Sequence, residues 1–243
     1  MGNTITIFTI PRAFEDVGVS LRQNNAIGSW AQLKPRPEII LFCDDAGIAE
    51  AASKIGYVHV PEVICSPYGV PLVNDVFEKA QSIASNNLLA YVNADIILAQ
   101  NWLDAFTRCG QQFDQFLMVG QRTDVCFNET LVPGDKIDRI ARQGKLHSVG
   151  GIDYFAFRRG VYENIPPFRV GRYGWDNWLC WDVLNRGIPM IDATAVATAI
   201  HQEHGGRPHR NCEDARENRR LMGQGNRHIG HATQRLSLSA AEQ

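Results

Sequence analysis

Two polar side chains interrupt a long apolar run near the middle of the chain. Residues 88–98 read Leu-Leu-Ala-Tyr-Val-Asn-Ala-Asp-Ile-Ile-Leu, which predicts a buried β-strand with Asn93 and Asp95 toward its carboxyl end. Side chains two residues apart on an extended chain point the same way, so an amide oxygen and a carboxylate are placed to share one hard cation. The alternative is that both residues end the strand and satisfy a turn.

Further acidic residues occur at or near other predicted strands. Asp44 and Asp45 directly follow the apolar stretch 38–43, and Asp153 lies in the alternating stretch 150–157. In a parallel sheet, Asp44-Asp45 and Asn93-Ala94-Asp95 meet at the edge where open α/β sheets bind ligands. Carboxylates gathered at one edge repel one another unless a cation or a hydrogen-bonding ligand joins them. One cluster is therefore a candidate contact for a base or ribose, and another for a divalent metal that holds a diphosphate.

The stretch Gly-Trp-Asp-Asn-Trp at 174–178 is a candidate catalytic segment. Trp175 offers an amphipathic wall of the kind that stacks on sugar rings, and Asp176 beside it is placed to act as general base on a hydroxyl. The alternative for Asp176 is a helix cap. Nearby arginines are candidates for contact with phosphate or acidic acceptor groups, although solvated surface arginines are more common: Arg158, Arg159, Arg169 and Arg172.

Three histidines form a late cluster: His201, His204 and His209. No cysteine pattern or HExxH motif supports a zinc site. A single histidine that completes the coordination of a metal already held by Asp95 and a diphosphate fits the sequence better. The alternative is that these are loop histidines without a ligand role.

The elements that must position these residues alternate along the first half of the chain. Predicted strands at 4–10, 38–43, 57–60 and 88–98 alternate with predicted helices at 17–33, 47–54 and 72–84. This order predicts an α/β fold with a mostly parallel sheet and helices on both faces. Residues 120–148 are polar and mixed, and we expect a loop there with one helix at 135–143, inserted on the acceptor side.

The second half continues with less regular elements. We expect a helix at 100–109 and strands at 116–119, 150–157 and 189–192, with a helix at 175–184. The tail from residue 211 is polar and arginine-rich, and its last ten or so residues are expected to be disordered.

Composition places the chain among ordinary globular proteins. It has 243 residues, 44% of them hydrophobic and 21% charged, with a formal net charge of −2. This balance gives no reason to expect affinity for nucleic acid or anionic membranes. No transmembrane segment or export signal is evident, and the six cysteines are scattered, so we expect a cytoplasmic protein with reduced thiols, and a location peripheral to the membrane stays open.

Taken together, these stretches resemble the GT-A class of nucleotide-sugar-dependent glycosyltransferases, most closely the family 2-like bacterial enzymes. The resemblance covers about residues 3–210 and depends on the order and spacing of the motifs. They are the first strand, Asp44-Asp45, Asn93-Ala94-Asp95 in place of the DxD motif, the stretch 151–155, the stretch 174–178 and a late histidine. The resemblance implies one GT-A-like domain over 1–243, with a nucleotide-sugar-binding half at about 1–98, an acceptor and catalytic half at about 99–210, and a polar tail at 211–243.

The resemblance also implies roles for the donor-side residues. Thr9 and Pro11 would border the nucleotide, and Asp44 or Asp45 would read its base. Asp95 would bind Mn²⁺ or Mg²⁺. His201 or His204 would complete the coordination of the metal. Asn93 stands where the family usually has an aspartate, and it would contact ribose or bind the metal weakly.

On the acceptor side, the resemblance implies that Asp176 deprotonates the acceptor hydroxyl in an inverting displacement. Sugar or acceptor contacts are expected from Asp153, Tyr154, Trp175 and Arg158. The donor would be a nucleoside diphosphate sugar, with UDP-sugar or GDP-sugar favoured. A growing polysaccharide, a lipid-linked glycan and a small molecule all remain open as the acceptor.

Two other classes of function remain. A nucleotidyltransferase would ordinarily carry a glycine-rich basic loop after the first strand, and residues 9–14 contain no glycine. A non-catalytic nucleotide- or carbohydrate-binding protein of the same fold is supported by Asn93 in place of aspartate. A Rossmann dehydrogenase is disfavoured because no GxGxxG motif follows the first strand.

Overall fold

The computed structural model describes residues 5–132, 134, 137–205 and 212–237. The α-helices in this part of the chain are α1 (Val17–Gln32), α2 (Ile48–Ile55), α3 (Val73–Ile83), α4 (Gln100–Gln112), α5 (Ile137–Ala141), α6 (Trp175–Asn185) and α7 (Glu213–Met222), and a short 3₁₀ helix lies at Ile229–His231. The strands are β1 (Thr6–Thr9), β2 (Glu38–Phe42), β3 (Val58–Val60), β4 (Leu88–Val92), β5 (Ile96–Leu98), β6 (Leu117–Val119), β7 (Thr123–Val125), β8 (Lys145–Leu146), β9 (Tyr154–Arg158), β10 (Met190–Asp192), β11 (Ala199–Gln202) and β12 (Gln234–Arg235).

The strands form two sheets that meet at one turn. The central sheet has eight strands in the order β12-β10-β6-β9-β4-β1-β2-β3. Strand β9 runs antiparallel to β4 and β6, and the other neighbours in this sheet pair in parallel. The second sheet has four strands in the order β5-β11-β7-β8 and is mixed. Because only Asn93-Ala94-Asp95 separates β4 from β5, this turn joins the two sheets.

Alternation along the strands builds a hydrophobic core on each face of the central sheet. Ile7 of β1 packs with Trp30 of α1 and Trp102 of α4, whereas its neighbour Phe8 points to the opposite core. There Phe8 meets Phe77 of α3 edge to face, with ring centroids 5.1 Å apart. The sheet is therefore covered by helices on both faces, which leaves its strand ends for ligands.

The predicted α/β class and the helices on both faces are confirmed, with a central sheet that is mostly parallel but mixed. The prediction of a single strand over 88–98 was wrong in its second part. The chain turns after Val92, because Ile96 N–H donates to the Asn93 carbonyl at 3.1 Å and Asn93 N–H donates to the Asp153 carbonyl at 2.9 Å. Strand β5 then pairs with β11 in the second sheet.

The segment 120–148 is more ordered than predicted. Strands β7 and β8 flank α5, and β7 pairs with β11, so a loop with one helix was an incomplete prediction. These strands are short and carry polar residues such as Thr123 and Asp124, so they lack the apolar run that identifies a buried strand.

The tail is also more ordered than predicted. Strand β12 pairs with β10 at the edge of the central sheet, so the expectation of disorder was wrong for Gln234–Arg235, while residues 238–243 lie outside the described part. Helix α7 packs against α6, which the polar composition of the tail did not indicate. Among the described residues, no helix has the length and apolar character needed to cross a membrane.

Candidate active site

A cavity of about 700 Å³ opens at the carboxyl ends of β1 and β4. Because β9 is antiparallel to β4, the residues that precede β9 reach the same edge of the sheet. The N-terminus of α6 and residues 170–173 complete the wall. The volume lies in the range of small-molecule sites. The acidic residues, arginines and histidine of the lining are Arg12, Arg22, Asp95, Arg122, Asp153, Arg172, Asp176 and His204.

Three candidate metal ligands come together at this cavity. Asp95, His201 and His204 each offer one ligand atom, and these atoms lie within 4.8 Å of one another. Asp95 Oδ2 lies 3.3 Å from Nε2 of His204 and 3.6 Å from Nε2 of His201. Burial opposes ionisation of Asp95, but the hydrogen bonds and charges of the two histidines outweigh it and hold the pKa of Asp95 below its usual range.

This donor set fits a divalent transition metal. One carboxylate oxygen and two imidazole nitrogens leave coordination positions that substrate phosphate oxygens can fill. Imidazole suits first-row transition metals better than Mg²⁺, which prefers oxygen ligands, so the set fits Mn²⁺ better than Mg²⁺.

Buried polar side chains fix the backbone of the metal cluster. Gln202 is fully buried, and its Nε2 donates to the main-chain carbonyls of Asp95 and Arg22, both at 2.9 Å. Its Oε1 accepts from Nδ2 of Asn25 on α1 at 2.9 Å. Strand β11 also pairs His201 with Ile96 in register. The second sheet thereby places His201 next to Asp95.

Asn93 lines the cavity, and the amide nitrogen of its side chain is bound to Asp153. Its Nδ2 donates to Asp153 Oδ1 at 2.7 Å, and Nη1 of Arg122 donates to Asp153 Oδ2 at 2.6 Å. Both carboxylate oxygens of Asp153 therefore have protein donors, although Asp153 still lines the cavity. Asn93 in this arrangement serves to hold Asp153.

Arg122 also reaches a carboxylate outside the cavity lining. Its Nε donates to Asp124 Oδ1 at 2.8 Å, and Asp124 Oδ2 meets Nδ1 of His147 at 2.5 Å. Asp124 Oδ1 also lies 3.2 Å from Nδ1 of His201. Burial opposes ionisation of Asp124, but His147 and Arg122 outweigh it and lower the pKa of this carboxyl.

Asp176 enters the cavity from the first turn of α6. Trp175 anchors this turn, because its ring lies 5.2 Å from Tyr91 and 5.4 Å from Phe155, centroid to centroid. Asp176 Oδ1 accepts from the Gly174 N–H at 3.2 Å. Burial raises the pKa of Asp176 to about 6, although main-chain donors at the helix start oppose the rise. This carboxyl is therefore ionised at neutral pH and more basic than an ordinary aspartate, as a general base requires.

Helix α7 holds the wall formed by residues 170–173. Asn218 is fully buried, accepts from the Arg169 N–H at 2.8 Å and donates to the Arg169 carbonyl at 3.0 Å. Its Nδ2 also donates to the Arg172 carbonyl at 3.3 Å. Asp214 of the same helix meets Nε of Arg169 at 3.3 Å.

The structure brings many of the residues predicted from sequence to one place. Asn93, Asp95, Asp153, Trp175, Asp176 and His204 line the cavity, and His201 reaches it through Asp95. Asp44 and Asp45 are exposed after β2, at the same edge of the sheet but outside the cavity lining. Trp175 is only 6% exposed and packs on β4 and β9, so it forms a wall rather than an open stacking platform. His209 lies outside the described residues.

Four residues that were predicted as substrate contacts lie outside the cavity lining. Thr9 and Tyr154 are fully buried, and Pro11 is also buried, while their neighbours Ile10, Arg12 and Asp153 line the cavity instead. Arg158 pairs in register with Leu88, at the opposite end of β9, where its Nη2 donates to the Gly110 and Phe113 carbonyls. Odd and even positions of a strand face opposite ways, and the sequence did not show which set faced the ligand.

Other lining residues escaped the sequence analysis. Arg12, Arg22 and Arg122 come from polar segments in which nothing distinguishes them from surface arginines. The two-residue spacing of Arg122 and Asp124 places both side chains on one side of an extended chain, but the sequence did not indicate that this segment is extended.

The central sheet with its antiparallel β9, the helices on both faces and the polar cluster at the strand ends define the GT-A fold of glycosyltransferases. Staphylococcus aureus TarS (residues 1–349), solved with UDP-GlcNAc, matches with a TM-score of 0.58 and 14% identity over 98% of this chain and 68% of that chain. Glucosyl-3-phosphoglycerate synthase from Mycobacterium tuberculosis, solved with Mn²⁺, UDP and phosphoglyceric acid, matches with a TM-score of 0.56 and 14% identity over 92% and 78%.

A crystal structure described as a mycobacterial protein is also similar, with a TM-score of 0.54 and 15% identity over 93% of this chain and 75% of that chain. No protein-family model and no curated protein sequence match this chain. At these identities the likeness establishes the fold, and the activity has to be argued from the site.

Proposed function

We propose that this protein is a metal-dependent glycosyltransferase that moves a sugar from a nucleoside diphosphate sugar to an acceptor hydroxyl. The observation that carries the proposal is the placement of the Asp95, His201 and His204 cluster and of Asp176 at one cavity of a GT-A fold. The complexes of two similar proteins, one with UDP-GlcNAc and one with Mn²⁺ and UDP, support a UDP-sugar as the first donor to test.

The site residues act on two different groups in the displacement, the leaving diphosphate and the attacking acceptor hydroxyl. Asp95, His201 and His204 would hold the cation, Mn²⁺ in the first instance, which when bound neutralises charge on the leaving diphosphate. Asp176 removes the proton from the acceptor hydroxyl as that oxygen attacks the anomeric carbon. Base and leaving group then act on opposite sides of that carbon, so the expected outcome is inversion. The arginines of the lining supply positive charge for anionic parts of either substrate.

The first test is a thermal-shift screen with UDP, GDP, CDP, dTDP and ADP, each with and without Mn²⁺. A ligand that binds only the native state raises the melting temperature by mass action, so one diphosphate that stabilises the protein only with Mn²⁺ names the donor base. Asp95→Ala should remove the metal-dependent part of this shift. A lack of stabilisation by every nucleotide would count against a donor site.

The second test separates catalysis from binding. Asp176→Asn should retain the nucleotide-dependent thermal shift and lose sugar transfer, measured as release of nucleoside diphosphate from the donor identified above. The matched control is Asp182→Asn on the same helix, which removes a 2.5 Å ion pair with Arg186 remote from the cavity lining. Full activity of Asp176→Asn would remove Asp176 from the mechanism. Retained binding without transfer by the unmodified protein, across a panel of acceptors, would favour a non-catalytic binding protein.

A further inference from the structure

His201 has a carboxylate on each side of its ring. Nε2 lies 3.6 Å from Asp95 Oδ2, and Nδ1 lies 3.2 Å from Asp124 Oδ1. The side chain is only 13% exposed, and Nδ1 is buried without an aligned hydrogen bond within the described residues. A neutral imidazole carries its proton on one nitrogen and a lone pair on the other, so the surroundings of Nδ1 decide what Nε2 presents to the metal site.

Asp124 is the carboxylate that lies beside Nδ1 of His201. Strand β7 pairs with β11 so that Asp124 and His201 are partners in the register, which fixes the two side chains next to each other. Oδ1 of Asp124 already accepts from Nε of Arg122 at 2.8 Å, and a carboxylate oxygen has a second lone pair to accept from His201 Nδ1–H. An ionised carboxylate has only acceptor sites, so when a cation beside Asp95 takes the lone pair of Nε2, Asp124 is the acceptor that remains for the proton on Nδ1.

Other contacts hold Asp124 itself in place. Arg122 joins Asp124 to Asp153, whose other oxygen takes the Asn93 side chain. The contacts therefore form a closed path that begins and ends at the turn between β4 and β5. From Asp95 in this turn they pass to His201 and Asp124. They continue through Arg122 and Asp153 and end at Asn93 in the same turn. This loop of contacts connects the metal cluster to the wall of the cavity.

We propose that Asp124 is a positioning residue for the metal site: it holds His201 with the proton on Nδ1 and the lone pair of Nε2 directed toward the cation beside Asp95. Asp124 is not part of the cavity lining, so it acts through His201 and Arg122 rather than on substrate. Carboxylates that hydrogen-bond a metal-binding histidine affect metal affinity by about 10- to 100-fold. The proposal rests on the metal site of the proposed function.

The test combines metal affinity with the tautomer of His201. Mn²⁺ binding, with and without UDP, is titrated by electron paramagnetic resonance in the unmodified protein, Asp124→Asn, Asp124→Ala and the control Asp182→Asn. We expect Asp124→Ala to weaken Mn²⁺ binding about 10- to 100-fold, Asp124→Asn to weaken it less, and the control to bind as the unmodified protein does. Asp182 is matched to Asp124 because it is also ion-paired to an arginine and similarly exposed, 20% against 17%.

The tautomer measurement does not depend on how the variants fold. Nitrogen-15 NMR of the unmodified protein loaded with diamagnetic Zn²⁺, with His201 assigned through His201→Asn, should show the proton on Nδ1, because Asp95 no longer competes for it at Nε2. A proton on Nε2 would overturn the inference, as would unchanged Mn²⁺ affinity in folded Asp124→Ala. Absence of Mn²⁺ binding by the unmodified protein would instead overturn the metal part of the proposed function, and this inference with it.

Discussion

The carboxyl of Asp176 lies in surroundings that favour its protonated form. Its pKa is about 6 in the folded protein, against an ordinary value of 3.8. Between these two values the native state binds more protons than the unfolded state, so the free energy of unfolding falls as the pH rises through this range and stays lowered above it. The candidate base therefore reduces stability at the pH where it is ionised.

We predict that Asp176→Asn raises the melting temperature above about pH 6, because the amide does not ionise. The difference between the pKa of Asp176 in the folded protein and its ordinary value corresponds to an increase of up to about 3 kcal/mol in the free energy of unfolding of the variant. The melting temperatures of the variant and the unmodified protein should converge below about pH 4, where Asp176 is protonated in both the folded and the unfolded state. Thermal unfolding across this pH range, in a chelator, checks the prediction. Equal melting temperatures at every pH would show that Asp176 has no raised pKa.

The same group should shape the pH dependence of transfer. A base must be ionised to accept a proton, so we expect kcat/KM to fall tenfold for each pH unit below about 6 and to level off above it. Initial rates at subsaturating acceptor, at fixed Mn²⁺ and donor, measure this profile. A flat profile down to about pH 5 would contradict a base with the pKa given for Asp176.

Among individual site residues, the sequence identified those whose polar side chains stand out within apolar segments. Asn93, Asp95 and Asp176 were identifiable because polar side chains interrupt apolar segments, and the structure places all three at the cavity. Arg122 and Asp124 were not identifiable as site residues, because charged residues in a polar segment are ordinarily solvated. Their contacts depend on strand β7 pairing with β11, which is a tertiary event.

Among the elements, α7 shows how a polar segment stabilises a site wall. Asn218 uses both ends of its amide on the main chain of residues 169–172. We predict that Asn218→Ala lowers the free energy of unfolding by about 1 to 3 kcal/mol, because buried main-chain groups lose their partners. Amides of residues 169–173 should then exchange hydrogen faster, as measured by mass spectrometry.

The matched control for this prediction is Arg216→Ala on the same helix. Arg216 makes an exposed ion pair with Glu213, and such pairs contribute at most about 1 kcal/mol. Similar exchange in both variants at residues 169–173 would mean that α7 does not hold this wall.

The sequence predicted the alternating elements well, because periodicity is a local property, but it missed α7, which has little apolar surface of its own.

At the scale of the whole molecule, an aromatic core supports the sheet edge. Phe77 stacks on Tyr91 and Phe157, with centroids 5.6 and 5.7 Å apart, and Tyr91 lines the cavity. We predict that Phe77→Ala lowers the free energy of unfolding by about 3 to 5 kcal/mol, measured by urea denaturation. Val17→Ala at a site 84% exposed should change it by less than about 0.5 kcal/mol. A small effect of Phe77→Ala would show that this core repacks.

The candidate metal ligands are contributed by distant parts of the chain. During translation Asp95 leaves the ribosome well before His201 and His204, and a chain that ends before β11 lacks the strand that pairs with β5 beside the cluster. A nascent chain that ends before β11 therefore has neither imidazole to offer a cation. Under the proposed function, metal binding adds to the stability of finished chains and adds nothing to that of fragments. The cation would then protect chains that contain β11 from proteolysis and leave chains that end before it unprotected.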